Sequence, residues 1–105
     1  MLQFCEDIGA KAMYVCNVGL SCQFRMGEAS EKSDISYYID DCLDAIEYAL
    51  GDTLTEWGAR RAADGHPAPF PLQYIEIGNE IGETNMTAVS ICFIRPSSKS
   101  TLNLL

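Results

Sequence analysis

The residues best placed to do chemistry sit in one short run, Tyr74-Ile75-Glu76-Ile77-Gly78-Asn79-Glu80. Residues 72–78 have the aromatic and β-branched content of a strand, so Asn79 and Glu80 stand at its carboxyl end. Ligands of parallel sheets gather at that end. A carboxylic acid there serves as a general acid when its surroundings raise its pKa, and a neighbouring amide can hold a substrate hydroxyl. Taken alone, Gly-Asn-Glu is weak, and a solvent-facing strand end explains it as simply. Other side chains have bland readings too. His66, between Gly65 and Pro67, reads as a loop-structuring residue, and Trp57 reads as packing. Ser21 lacks the Gly-x-Ser-x-Gly setting of a nucleophile elbow, and Asn85-Met86-Thr87 matches a glycosylation sequon that is common by chance.

The elements that must position these residues follow from periodicity. Leu2, Cys5 and Ile8 recur at helical spacing, with Gly9 as the stop. Residues 11–17 (Lys-Ala-Met-Tyr-Val-Cys-Asn) read as a first strand that turns out through Val18-Gly19. Residues 20–33 form a polar loop. Ile35, Tyr38, Ile39, Cys42, Leu43, Ile46, Ala49 and Leu50 then mark one helical stripe, while Asp40, Asp41, Asp44 and Glu47 take the wet face. Ser33 or Asp34 can cap this helix, and Gly51 is expected to end it in a left-handed conformation. Residues 55–64 suit a short helix, and Pro67-Ala68-Pro69-Phe70-Pro71 must be extended. Helix, strand, helix, strand implies parallel strands joined by a crossover, hence the α/β class.

Composition narrows the function. With 105 residues there is room for one small domain, and 48% hydrophobic residues suffice for a core. Fifteen acidic against seven basic side chains leave a net charge of −8, which suits neither DNA nor RNA. No run reaches the roughly 18 apolar residues of a membrane span, and the start of the chain lacks the basic region of an export signal. Localisation stays open. Five cysteines without a Cys-x-x-Cys pair argue against a zinc cage or a disulfide scaffold, so they are expected to be small buried apolar residues.

Residues 1–80 resemble the catalytic barrel of the family 51 glycoside hydrolases, the α-L-arabinofuranosidases. Six segments carry the resemblance in order: Cys5-Glu6-Asp7-Ile8-Gly9-Ala10, Tyr14-Val15-Cys16-Asn17-Val18-Gly19-Leu20-Ser21, Asp44-Ala45-Ile46-Glu47-Tyr48, Trp57-Gly58-Ala59-Arg60-Arg61-Ala62, Gly65-His66-Pro67-Ala68-Pro69-Phe70 and the run ending in Glu80. The resemblance implies a fragment of a (β/α)8 TIM barrel, about strands 3 and 4 with the intervening helix. It implies that Glu80 matches the general acid/base and Asn79 the residue that hydrogen-bonds the sugar 2-hydroxyl. The substrate would be an arabinofuranosyl-containing oligosaccharide or polysaccharide, and neither metal nor organic cofactor is implied. Whether the parent is a homo-oligomer stays open.

A retaining enzyme also needs a carboxylate nucleophile about 5–5.5 Å from the acid. In the family it lies near the end of the seventh strand, beyond this chain. Glu76 stands four residues from Glu80, about 13 Å along a strand, and nothing in the sequence positions Glu83. A full barrel takes about 250 residues, so the expectation is a fragment inactive by itself.

Residues 81–105 depart from this pattern. All 15 acidic residues lie within 1–83, which carry five basic residues, while 84–105 carry only Arg95 and Lys99. Glu80 to Met86 can be written GAA ATT GGG GAG ACG AAT ATG. One added A after GAA gives Glu-Asn-Trp-Gly-Asp-Glu-Tyr, which restores a family-like motif. The sequence reading is therefore a partial TIM-barrel domain over 1–80, opening inside a longer barrel, and an aberrant, frameshifted tail over 81–105. The alternative is a non-enzymatic, small acidic α/β domain that binds a partner.

Overall fold

The structure, a computed structural model, describes residues 1–21 and 35–79. Five elements follow in chain order: α1 (Leu2–Asp7), β1 (Ala12–Cys16), α2 (Ile35–Leu50), α3 (Glu56–Ala63) and β2 (Leu72–Ile77). The two strands are parallel neighbours, with Met13 opposite Tyr74 and Cys16 opposite Ile77. This agrees with the α/β class expected from the sequence. The expected caps Ser33 and Asp34 lie outside the described residues, as do the sequon and the 81–105 tail.

β1 lays one face on helices, and β2 joins that core through Leu72. Ala12, Ala49 and Leu72 form one buried cluster, and Leu2 and Cys5 of α1 pack against it. Cys16, Cys42 and Ile46 form a second, and Tyr14 touches both. The opposite face is bare: Met13, Val15 and Tyr74 are 55%, 42% and 54% exposed. Open strand faces of this kind are what a segment cut from a closed barrel would show.

The apolar stripe of α2 buries Cys42, Ile46 and Ala49, whereas Leu50 at its end is exposed. Asp40, Asp41 and Asp44 are exposed as expected. Glu47 is not simply solvated: its Oε2 accepts the backbone N–H of Trp57 at 3.0 Å. Thr55 Oγ1 accepts from the Gly58 N–H at 3.2 Å. Two of the orphan donors at the start of α3 are thereby satisfied.

Gly51 corrects one expectation. The positive-φ glycines among the described residues are Gly9, Gly19, Gly65 and Gly78, so Gly51 does not end α2 in the left-handed region. A Cβ there would lie 2.5 Å from the Glu47 carbonyl oxygen and 2.7 Å from Thr55 Oγ1. Glycine is required for space where α2 turns tightly into α3.

The cysteines supply a second correction. Cys16 and Cys42 form a disulfide with Cα atoms 5.7 Å apart, well inside the usual span. Among the described residues only Cys5 is a free thiol; Cys22 and Cys92 lie outside them. The odd count concealed a pair because pairing depends on which face of β1 meets which face of α2.

Arg61 holds the α2–α3 corner. Its side chain is fully buried, and among the described residues no carboxylate pairs with it. Instead its Nε donates to the His66 carbonyl, Nη1 to Tyr48, and Nη2 to both Gly51 and Pro67, all within 2.8–2.9 Å. Tyr48 belongs to the last turn of α2 and Gly51 follows directly on it, so the guanidinium faces the negative end of that helix.

Candidate active site at the strand ends

β1 and β2 run parallel, so their carboxyl ends open on the same side of the sheet. A cleft of about 250 Å³ lies there, lined by Val15, Cys16, Asn17, Val18, Leu20, Gly78 and Asn79. Asn79 is exposed at its edge. Glu80 follows Asn79 in sequence and lies outside the described residues, as does Glu83.

The cleft walls are tied together by backbone. The Gly78 N–H donates to the Cys16 carbonyl at 2.9 Å, extending the sheet one residue past β2. Gly78 then turns with φ of 78°, a region where a side chain is strained. On the other strand, Asn17 Oδ1 accepts the Gly19 N–H at 2.9 Å and closes a tight turn. The Cys16–Cys42 bond fastens this end of β1 to α2. Two carboxamides, Asn17 and Asn79, therefore line one cleft, where they can donate to and accept from substrate hydroxyls. Asn17 was not singled out as a site residue from sequence. Its signal was the same one that marked Asn79, an amide at the carboxyl end of a parallel strand.

Glu76 is exposed on β2 opposite Val15, three residues short of Asn79. His66 lies at the far end of the sheet, in the loop that enters β2. The six residues of β2 put about 20 Å between that loop and Asn79. Both His66 ring nitrogens are engaged, Nδ1 with the Ala68 carbonyl at 2.6 Å and Nε2 with Glu6 Oε2 at 2.7 Å. The ring also stacks on Phe70 with centroids 3.9 Å apart. Both polar partners are acceptors, so the imidazolium satisfies them best. The hydrogen bond to Glu6 accordingly raises the His66 pKa above its ordinary value. The loop-structuring reading of His66 holds. Trp57 lies apart from the cleft as well, beside Tyr14 and Tyr48 on the helical side of the sheet.

A family profile described as "Alpha-L-arabinofuranosidase 1 domain" matches residues 1–90. The chain belongs to the α-L-arabinofuranosidase family. It is 40% identical over 78 residues to alpha-L-arabinofuranosidase 2 of Arabidopsis thaliana, a match covering 74% of this chain and 11% of that protein. It is 37% identical to the extracellular exo-alpha-L-arabinofuranosidase of Streptomyces chartreusis, covering 74% of this chain and 10% of that protein. Among solved structures, the arabinose-bound MgGH51 α-L-arabinofuranosidase superposes with a TM-score of 0.78 at 30% identity. That superposition covers 89% of this chain and 15% of the solved chain. The chain thus spans about a tenth of the curated arabinofuranosidases it matches.

Proposed function

We propose that this chain is a segment of the catalytic barrel of a retaining arabinofuranosidase, about its third and fourth strands with the helices between. The parent releases terminal α-L-arabinofuranosyl groups from arabinose-containing glycans. Glu80 protonates the leaving oxygen and then deprotonates the water that frees the sugar, while Asn79 hydrogen-bonds the 2-hydroxyl. The nucleophilic carboxylate belongs to a strand outside these 105 residues, so the segment alone does not turn over. The observation that carries this reading is the place of Asn79. It lines a cleft at the carboxyl end of a parallel strand, in a chain of arabinofuranosidase family.

The same reading bounds the catalytic segment at residue 80 and takes 81–105 as out-of-frame translation. The loss of acidic residues after Glu83 supports it.

A chimera tests the catalytic reading. Residues 1–80 replace the matching segment of the Arabidopsis relative, and release of 4-nitrophenol from 4-nitrophenyl α-L-arabinofuranoside is followed. The chimera is expected to be active, its Glu80→Gln variant to lose about 10²–10⁴-fold in turnover, and the 105-residue chain to be inert. A chimera whose Glu80→Gln variant keeps full activity would sink the assignment. Accurate DNA sequence across the Glu80 codon tests the boundary, and a clean frame with nothing barrel-like beside it would overturn it.

A further inference from the structure

Cys16 is the node of the strand-end cleft. Asn17 follows it directly in sequence, and the Cys16 carbonyl accepts the Gly78 N–H at 2.9 Å, one residue before Asn79. The two carboxamides that line the cleft therefore both hang on the backbone of Cys16. Its side chain is buried against α2 and bonded to Cys42 of that helix.

The two ends of the sheet are held to α2 by different means. At the amino end, Ala12, Ala49 and Leu72 pack together with Leu2 and Cys5 against them, and the Phe70 N–H donates to the Ala49 carbonyl at 2.9 Å. At the carboxyl end the buried cluster is Cys16, Cys42 and Ile46, with Tyr14 beside it. Two of those three buried residues are the bonded cysteines, so the covalent link carries much of the attachment where the cleft opens.

Resting on the assignment of this cleft to the glycan, we propose that the Cys16–Cys42 disulfide is a positioning element of the substrate site, setting Asn17 and Asn79 through the backbone of Cys16. A binding side chain is only as precise as the shell that supports it. With the bond closed, the end of β1 is held against α2, and the turns at Asn17 and Gly78 keep their places. With the bond open, that end is free to fray while the amino end stays packed. Opening takes two electrons and two protons from a dithiol: the S–S bond breaks, each sulfur becomes a thiol, and the dithiol closes to its own disulfide.

Both turns carry a reporter. The Gly19 N–H is bonded to Asn17 Oδ1 and the Gly78 N–H to the Cys16 carbonyl, and both glycines are buried. Ala12, whose N–H donates to the Pro71 carbonyl, and Phe70 report the amino end. Amide hydrogen exchange of the full chain is read residue by residue by NMR, oxidised and after dithiothreitol. Reduction is expected to speed exchange at Gly19 and Gly78 at least about tenfold more than at Ala12 and Phe70. Cys16→Ala with Cys42→Val, which fills the space without the bond, should show the same excess and ties it to this one link. Equal acceleration at all four amides would make the bond a support of the whole fold, and no acceleration would make it idle; either overturns the proposal. Full protection in the doubly substituted chain would credit packing rather than the bond and overturn it too. None of these readouts needs turnover, so an active Glu80→Gln chimera would sink the catalytic reading and leave the link from Cys42 to both turns standing.

Discussion

His66 Nε2 lies 2.7 Å from Glu6 Oε2, joining the loop that enters β2 to helix α1 across 60 residues of sequence. The bond favours the imidazolium in the folded state, so the folded pKa of His66 is raised above the ordinary 6.5. A raised histidine pKa stabilises fully below the unfolded value, and that contribution fades as pH climbs through the folded value. The thermal midpoint is therefore expected to fall as pH rises from about 6 upward. His66→Gln should flatten that dependence. A His66→Gln chain with an unchanged pH profile would show that the pair does not couple to folding.

Arg61 is buried with its guanidinium shared among the carbonyls of Tyr48, Gly51, His66 and Pro67. Arg61→Met keeps the volume roughly but leaves those carbonyls without their donors. The expected cost is about 3 kcal/mol or more in urea unfolding. Arg61→Lys should recover only part of it, since an ammonium cannot reproduce the planar fork.

The Cys16–Cys42 disulfide closes a loop with a sequence separation of 26. Chain-entropy arguments put its contribution at roughly 3 kcal/mol. Reduction, or Cys42→Ala, is expected to lower the thermal midpoint by about 10 °C or more. Alkylation with mass detection should find Cys16 and Cys42 blocked in the oxidised chain and Cys5 reactive.

Gly51→Ala places a methyl group against the Glu47 carbonyl and Thr55 Oγ1. The α2–α3 corner must open to accept it, at a cost of about 1–3 kcal/mol. Gly9→Ala has no neighbour to strike and meets only its φ of 68°. Circular-dichroism melts of the two variants separate crowding from backbone strain, with Gly51→Ala the more damaging.

Asn79 is expected to matter through the 2-hydroxyl. In the active chimera, Asn79→Ala should lower kcat/KM about 10²-fold on an arabinofuranoside. On the 2-deoxy analogue the same substitution should cost almost nothing, because the hydroxyl it serves is gone.

Local pattern was enough for most of the fold. The stripe from Ile35 to Leu50 marked α2, and the helix ends at Leu50, where the stripe does. The residues from Leu72 onward marked β2, and the helix–strand alternation implied the parallel pairing that the structure has. The place of Asn79 just past the carboxyl end of β2 was legible for the same reason, since strand direction alone sets which end of a parallel sheet it occupies.

What stayed hidden were contacts made across the chain. Arg61 carried no signal of its own in the sequence, and only the convergence of a helix end, a tight turn and a proline loop gives it four acceptors. Asn17 shares a cleft with Asn79 because β1 and β2 lie side by side. Cys16 met Cys42, and His66 met Glu6, because packing one strand face on α2 and docking α1 on Ala12 and Leu72 brings them within bonding distance. Secondary structure follows periods of two and 3.6 residues that a sequence displays directly. Pairings over 26 or 60 residues depend on how whole elements stack, and that was decided only by the tertiary structure.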